Sequence, residues 1–318
     1  MKNSKNLGKK ILVFGAIASI GATLATASPN WASADQINIS SLQKEMKTDT
    51  DILDWKVPLD NAVDIIGKNL DVPGTYQGLF LTMYPEVNYE QFSVEADGSP
   101  TISNSNTIFV GKTTLTNNSN QEQTLSTNSF SKMVSNTVSH STTHGFKFGV
   151  KASSKFNIPI VGETGIELST EYNFSDTSSE TKTESYTYTA SPQNIKVPAH
   201  SSVEVIVNLE TVKAKGNVKL LAKMSGTGMG QIIYYDPNVS YSYNMSLNEI
   251  AERASKYEKL QDLSANPDGK TVNLLGSGKY EAEYGTEFSV TVNPIDKNGK
   301  SVNTGYTYKV NPEITKIK

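Results

Sequence analysis

The sequence predicts a mainly β protein of long antiparallel strands, with a small helical domain near its N-terminus. Three stretches carry this prediction. Residues 144–175 alternate apolar and polar side chains, every odd position from 175 to 191 is Ser or Thr, and Val or Leu occupies every odd position from 203 to 209. A spacing of two is that of side chains along a β-strand. Apolar residues at helical spacing are found in residues 42–70 and 246–263.

Residues 1–34 have the features of a secretory signal peptide. Four lysines precede the apolar run ILVFGAIASIGATLATA, and Ala32-Ser33-Ala34 provides the small residues of a cleavage site. A membrane-anchoring helix is the alternative, but Gly, Ala, Ser and Thr dilute the apolar run. We therefore expect a secreted protein whose mature chain begins near Asp35.

The composition argues against several classes of function. The chain has 29 basic and 32 acidic residues, a balance that argues against nucleic acid as a partner. It has no cysteine, so neither a disulfide nor a thiol nucleophile is available. The three histidines lack metal-ligand spacing, and no nucleophile motif or complete phosphate loop occurs. The sequence therefore predicts no catalytic residues, no metal and no cofactor, and a secreted hydrolase finds almost no support.

The region from Asp35 to about Leu81 is predicted to be helical. Its clearest element is the segment 59–70, LDNAVDIIGKNL, whose apolar residues recur at helical spacing. Four aromatic side chains in and after this region are candidates for receptor contact, because such rings are enriched at binding surfaces. Packing at a domain edge is the alternative for each of them. The four are Tyr76, Tyr84, Tyr89 and Phe92.

From about residue 87 the sequence predicts strands separated by turns. Residues 226–230 of SGTGMGQ are expected to form a flexible turn, and Glu281 and Glu283 to lie on a solvated strand face. One late helix is predicted over residues 246–263, with a capping box at its start. The turn signals are Asp97-Gly98, Asn117-Asn118, Asp268-Gly269 and Asn298-Gly299.

The predicted hairpin between residues 144 and 175 is the most informative stretch. Its even positions are mostly apolar, its odd positions are mostly polar or charged, and Pro and Gly at its centre predict the turn. The apolar row is Phe146, Phe148, Val150, Ala152, Phe156, Ile158, Ile160, Ile166, Leu168, Tyr172 and Phe174. The charged row is Lys147, Lys151, Lys155, Glu167 and Glu171.

Each leg of this hairpin is long enough to cross a membrane as a tilted β-strand, which takes roughly 9 to 11 residues. The pattern also determines which face meets water, because a shift of the strand register by one residue would turn the lysines to the apolar side. An amphipathic hairpin that covers the core of a soluble sheet is the alternative, and alternation alone does not distinguish the two.

The Ser/Thr-rich stretch 175–191 could be a disordered linker, but Ser or Thr at every second position favours a strand.

Segments between Val94 and Gly230 resemble the clostridial epsilon-toxin and mosquitocidal-toxin (ETX/MTX2) family of aerolysin-type β-pore-forming toxins. The order of these segments along the chain makes the resemblance specific. They are VEADGSP, FVGKTTLTNNSNQEQTL, SFSK, STTHGF, KFNIPIVGETGIELSTEYNFS and VPAHSSVEVIVNLETVKAKGNVKLLAKMSG, with a weaker GSGKYEAEYGTEFSVTV further on.

The resemblance implies an elongated, multi-domain fold that combines long antiparallel strands with a β-sandwich. The chain departs from the family's pattern in the N-terminal helices and around residues 231–263, which we expect to bear the receptor contacts. Together with the signal peptide, this gives four predicted domains. These are the signal peptide (1–34), an N-terminal helical and aromatic receptor-binding domain (35–92) on which residues 231–263 pack, a β-rich pore-forming and oligomerisation domain (93–230) with hairpin 144–175, and a C-terminal β-sandwich region (264–318).

The resemblance also implies a function. A secreted protomer would bind a receptor on the target-cell membrane, be trimmed by a protease and assemble into a homo-oligomer, typically a heptamer. Each chain would insert its hairpin, so that the apolar row faces lipid and the charged row lines the pore. The hairpin tip would consist of Pro159, Val161, Gly162, Glu163, Thr164 and Gly165.

Three points stay open at the level of sequence. Family members carry a C-terminal activation peptide, for which Lys297, Lys300 and Lys309 are candidate cleavage sites or else ordinary surface lysines. The target is expected to be an insect cell, but the related proteins include toxins that act on mammals as well as toxins that act on insects. The alternative function is a non-lytic secreted lectin or adhesin, in which the aromatic residues bind glycan and the hairpin stays in its sheet.

Overall fold

Long antiparallel strands dominate the chain, as the sequence predicts. The computed structural model describes residues 51–160, 165–235, 239–302 and 304–317. These residues belong to the unit Ala34–Lys318. The predicted signal peptide, the first part of the predicted helical region, and the tip residues Val161, Gly162, Glu163 and Thr164 lie outside the described residues.

Fourteen strands and two helices make up the described part. The strands are β1 (Asp51–Asp54), β2 (Thr75–Asn117), β3 (Gln123–Ser126), β4 (Phe130–Lys147), β5 (Ser153–Asn157), β6 (Ser169–Asn173), β7 (Glu180–Ala190), β8 (Asn194–Val197), β9 (Ser201–Tyr235), β10 (Val239–Ser246), β11 (Leu263–Ala265), β12 (Thr271–Pro294), β13 (Tyr306–Val310) and β14 (Glu313–Lys316). The helices are α1 (Val57–Lys68) and α2 (Leu247–Ser255).

Ten of the strands form one sheet, which we call the body sheet. Its main path is β10-β9-β12-β4-β7-β14, with β2 on β9, β1 on β4, and β11 and β13 on β12. The pairs β3–β8 and β5–β6 are separate two-stranded sheets. Strands β2 and β9 run through the predicted domain boundaries at residues 92 and 230, so the same ladder continues from one predicted domain into the next.

The alternating residues of β9 supply much of the core. Val205, Val207 and Leu209 are fully buried, as their spacing predicts. On the opposite face of the sheet lie Glu281 and Glu283 of β12, which the sequence predicts to be solvated. That prediction is wrong, since both side chains are buried. They are covered because lysines of the neighbouring strand β9 reach across the ladder to them, with Lys215 3.0 Å from Glu281.

The Ser/Thr row of the sequence forms a hydroxyl ladder between β7 and β4. Ser139 and Thr181 are 2.8 Å apart, and Ser131 and Thr189 are 2.9 Å apart. Cross-strand hydroxyl pairs of this kind stabilise a sheet modestly. The predicted strand begins later than its parity suggested, at Glu180 rather than Ser175.

Two glycine-containing turn signals do not form turns, because the chain stays paired with its neighbour at both. At Asp97-Gly98 strand β2 makes a bulge and continues along β9, with Gly98 at φ +82°. The expected flexible turn at 226–230 lies inside β9. Glycine is needed there for close packing, since a Cβ on Gly228 would lie 2.8 Å from Ile250 Cδ1.

The helices are shorter than predicted. From residue 51 to Leu81, the described part of the region predicted to be helical, Asp51–Asp54 is a strand, β2 begins at Thr75, and the helix is confined to α1, which buries Leu59, Val63 and Ile66. Helix α2 has the predicted cap, because Ser246 Oγ accepts a bond from the Glu249 backbone N–H. It ends at Ser255 instead of continuing to residue 263, because the apolar face stops at Ala254 and the next residues are exposed.

Candidate functional site: the docked hairpin

The predicted hairpin exists as a two-stranded antiparallel ladder that is separate from the body sheet. Strand β5 pairs with β6 from Ser153↔Asn173 to Asn157↔Ser169. No ladder joins either strand to the body sheet within the described residues. Strands β5 and β6 can therefore leave the body without breaking its ladders, whereas residues 144–147, at the start of the predicted hairpin, belong to β4 and pair with β1.

The apolar row of the hairpin faces the body. Nine of its eleven side chains are at most 6% exposed, Ile160 is half-buried, and Val150 is 52% exposed. Burying a large apolar side chain stabilises by about 1.5–3 kcal/mol, so the docked face contributes on the order of 15 kcal/mol relative to the same face in water. The buried nine are Phe146, Phe148, Ala152, Phe156, Ile158, Ile166, Leu168, Tyr172 and Phe174.

The charged row points to solvent. Lys147, Lys151, Lys155, Glu167 and Glu171 are all exposed. The ion pair between Lys151 and Glu171 spans 3.9 Å with both side chains mostly exposed, so it adds little stability. The hairpin thus has an apolar face and a charged face, as the alternation of apolar and polar residues predicts.

Aromatic rings of the body receive the apolar face. Phe92 of β2 lies between two hairpin rings, with centroids 5.1 Å from Phe148 and 5.3 Å from Phe174. Further along, Phe156 packs 5.4 Å from Tyr280 of β12. Because packed rings interlock with few voids, this contact specifies one docked position.

A few polar bonds orient the hairpin on the body. Tyr172 Oη donates to the Lys279 carbonyl at 2.8 Å, and Tyr89 Oη donates to the Phe148 carbonyl at 3.0 Å. Gly278 makes room for the Tyr172 ring, since a Cβ there would lie 2.7 Å from it. These bonds are few compared with the buried apolar area, so apolar packing dominates the docking.

The first leg is not the continuous strand that its alternation predicts. Strand β4 ends at Lys147, the next five residues are irregular, and Gly149 has φ +72°. The backbone of Phe174 marks the break. Its carbonyl accepts from Phe146 N at 2.8 Å, while its own N–H donates to the Ala152 carbonyl at 2.9 Å.

Phe146 and Ala152 thus both bond to the backbone of Phe174, although they are six residues apart. The chain between them loops out, and this loop carries the exposed Val150. Because the loop shifts the pairing by six residues, an even number, the side chains of the apolar row before and after it stay on the same face of the hairpin. Straightening the leg would return Val150 to that row.

The four aromatic candidates for receptor contact point inward, unlike the outward orientation expected of contact residues. Register shifts along β2 bring them to one side although their positions differ in parity, and they lie against α1 and the hairpin. Tyr84 Oη donates to Asp60 at 2.7 Å, Tyr76 Oη bonds to Asp64, Tyr89 bonds to the hairpin, and Phe92 contacts the hairpin rings. Burial, and then the bond to Asp60, raises the pKa of Tyr84. The large exposed apolar side chains of the same stretch are Phe80, Leu81 and Met83.

The candidate cleavage sites lie in two settings. Lys297 and Lys300 belong to an exposed turn between β12 and β13, which is closed by a bond from Gly299 N to the Asp296 carbonyl at 3.0 Å. Lys309 lies inside β13, opposite Ser289, and is paired with Glu287. Exposed turns are preferred protease sites because the substrate must be extended and unpaired.

The outer edge of β7 is covered by the C-terminal strand β14. Lys316 lies 2.8 Å from Glu184 and sits over the ring of Tyr186. Lys316, helped by Lys182, lowers the pKa of Glu184 to about 2, so this ion pair is intact at neutral pH.

Replacing Phe92 with Ala should loosen the hairpin, because the ring contacts both Phe148 and Phe174. We expect docking to weaken by about 2 kcal/mol, less than the 3–5 kcal/mol of a fully buried Phe. Trypsin cleavage after Lys155, which requires β5 to open, should accelerate by roughly tenfold or more. The matched control is Phe109→Ala, an exposed phenylalanine of the same strand. Equal cleavage of the two variants would contradict the assigned contact.

The described residues hold no helix that is both long enough and apolar enough to span a membrane. In the same part of the chain, no group of three or more His, Asp or Glu side chains is placed to hold a metal ion.

Solved structures similar to this chain share its fold. The Mpp75Aa1.1 β-pore-forming protein from Brevibacillus laterosporus superimposes with a TM-score of 0.67 at 23% identity, covering 82% of this chain and 95% of that one. A chain of the Cry23Aa1 and Cry37Aa1 binary protein complex gives a TM-score of 0.50 at 21% identity, covering 83% and 100%. No curated protein matches the sequence significantly.

The family is established by the sequence model of Clostridium epsilon toxin ETX/Bacillus mosquitocidal toxin MTX2, which matches residues 79–304. This range contains the docked hairpin, the long ladder of β9 and β12, and the turn that carries Lys297 and Lys300. It spans well over half of the chain. The protein therefore belongs to the ETX/MTX2 family of aerolysin-type β-pore-forming toxins.

Proposed function

We propose that this protein is a secreted toxin that binds a receptor on its target cell, is activated by a protease, assembles into a ring and inserts residues 144–175 of each chain into the membrane. One observation carries the proposal. An amphipathic hairpin with a ladder of its own is stored on the body sheet, with its apolar face buried and its charged face in solvent. Family membership supports the same function.

Transfer from the body to lipid keeps the apolar row out of water at both ends of the path. A lone inserted hairpin would still leave two unpaired strand edges, and each unsatisfied backbone group in hydrocarbon costs several kcal/mol. A closed ring of hairpins removes those edges. Assembly therefore comes before insertion.

We propose a ring of seven copies, as the family resemblance implies. Two strands from each of about seven chains give about 14, within the range of water-filled barrels. The lumen would carry three lysines and two glutamates from each chain, a set that is nearly balanced in sign. These are Lys147, Lys151, Lys155, Glu167 and Glu171.

The receptor contact is proposed to lie in the first part of β2, where this strand pairs with the end of β9. Phe80, Leu81 and Met83 are each more than half exposed there, and Leu81 has φ +53°, a conformation that a leucine seldom adopts. An insect cell is the proposed target, in keeping with the mosquitocidal toxin for which the family model is named. The inward-facing Tyr76, Tyr84 and Tyr89 would then support this surface from below.

Activation is proposed to remove the C-terminal strands. A cut at Lys297 or Lys300 separates β13 and β14 from β12, and the loss of β14 uncovers the edge of β7. An uncovered edge presents a row of N–H and C=O groups that can pair with another copy of the chain. The C-terminal strand would thus prevent premature assembly.

Placing an acid in the apolar row should abolish the pore. We expect trypsin-treated Phe156→Asp to release no dye from liposomes and to give no conductance steps in planar bilayers, because a charge facing lipid costs about 2 kcal/mol in each chain of the ring. Its binding to target cells should persist. The control is Asn157→Asp, which puts the same acid on the neighbouring, solvent-facing position and should retain activity.

If Phe156→Asp stays as leaky as the wild type, the hairpin is wrongly assigned. If the trypsin-treated wild type never conducts although it binds cells, the protein is a non-lytic lectin or adhesin.

The cleavage sites can be separated by lysine replacement. In the double variant Lys297→Gln/Lys300→Gln, trypsin should leave the C-terminal strands attached, and ring formation and dye release should fall by at least tenfold. Lys309→Gln should behave as the wild type, because Lys309 is protected inside β13. Gel electrophoresis and mass spectrometry read the trimming. Normal activation of the double variant would contradict the proposed sites.

A further inference from the structure

One buried histidine lies between the body sheet and the docked hairpin. His140 belongs to β4 and is 5% exposed. Its Nδ1 is 2.7 Å from Thr170 Oγ1 of β6, and its ring packs edge-on against Tyr172 of β6 at 4.6 Å. A single side chain of the body thus contacts two residues of the hairpin strand, one by a hydrogen bond and one by ring packing.

The charges around this contact balance. A cleft beside His140 is lined by Lys155 and Glu171 of the hairpin and by Glu180 and Lys182 of β7. Strand β12 contributes Tyr280, which lies opposite His140 in the ladder. Two acids and two lysines leave no net charge to hold an imidazolium.

A neutral imidazole suits this site and a protonated one does not. Burial lowers the pKa of His140, and Glu180 together with a backbone hydrogen bond at Glu171 opposes that shift without overcoming it. Once the hairpin has left, the ring meets water, and its proton affinity returns to that of an ordinary histidine.

We propose that His140 is a positioning residue that holds the hairpin on the body while its ring is neutral and releases the hairpin when the ring takes up a proton, so that mild acid promotes insertion. The proposal rests on the function proposed above. It adds that the environment of the target cell sets the time of release.

The direction of the pH dependence follows from proton linkage. The docked state has the lower pKa, so the released state binds more protons below about pH 6.5, the usual value for histidine. Docking is then complete above that pH and weakens as the pH falls through it. With an ordinary histidine in the released state, the docking equilibrium can shift by at most about 30-fold between pH 8 and pH 5.

Another histidine serves as the control for this effect. His200 is exposed, bonds to Asn120 and has φ +51°. Replacing His200 with Asn, which tolerates a positive φ, removes an imidazole outside residues 144–175. His144 does not serve, because it lies in that segment and its ring packs 5.0 Å from Phe146.

The test measures hydrogen exchange of residues 148–174 in the uncut monomer without lipid, as protection factors corrected for the intrinsic pH dependence of exchange. In the wild type, protection of this segment should fall several-fold, and by no more than about 30-fold, between pH 8 and pH 5, while β9 stays protected. His140→Gln should give a flat profile. His200→Asn should retain the wild-type fall.

A further variant covers the case in which His140→Gln folds poorly. Thr170→Val removes the hydroxyl partner but leaves the ring able to titrate. We expect protection to drop about two- to tenfold at pH 8, the effect of losing one hydrogen bond, with the pH dependence kept. A wild-type profile without any pH dependence, or a pH-dependent one in His140→Gln, would overturn the proposal.

Failure of this proposal is distinguishable from failure of the proposed function. If trypsin-treated protein conducts in bilayers while hairpin protection ignores pH, the pore stands and His140 has no such role. If protection follows pH as expected but the protein never conducts, His140 controls docking and the pore-forming function is wrong.

Discussion

The structure depends on how one face of one hairpin is kept from water. The apolar row between Phe146 and Phe174 can be satisfied by protein or by lipid but not by solvent. In the monomer the body supplies that environment through Phe92 and Tyr280. Because apolar burial is non-directional, the same face can exchange one partner for the other with little change in free energy. That exchange would allow the chain to store the segment that we propose to enter the membrane.

Departure of the hairpin has a consequence for the body. The rings of Phe92 and Tyr280, together with His140, would lose their cover and face water. This exposure opposes release in the isolated monomer, which keeps the hairpin docked. A neighbouring copy that covers the vacated face would remove the penalty, so assembly and release should reinforce each other. The C-terminal strand β14, which occupies the edge of β7, would then restrain both.

Much of the fold could be predicted from the sequence because its signals are local. The alternation of Val205, Val207 and Leu209 specifies a buried strand, and Ser246 with Glu249 specifies the start of a helix. The amphipathic character of the hairpin followed from parity in the same way. Helix ends were harder, since α2 stops at Ser255 where its buried face ends, and burial is a tertiary property.

Other features required knowledge of the neighbours. The dipeptide Asp97-Gly98 is typical of a turn, but β2 pairs with β9 both before and after it, so it forms a bulge. The six-residue excursion from Phe146 to Ala152 has only Gly149 as a local signal, because it arises from a mismatch between two ladders. The contacts of His140 were equally hidden, since no motif surrounds it and its partners Thr170 and Tyr172 lie about 30 residues away along the chain.

The most direct measurement of the central claim is a scan of single cysteines through residues 166–172 in pores, each labelled with a fluorophore. The chain has no cysteine of its own, so every label reports one position. Lipid-attached nitroxides should quench the labels at even positions such as Leu168, and aqueous iodide should quench those at odd positions such as Glu167. Permeabilised membranes in which no label is quenched from the lipid would contradict the account.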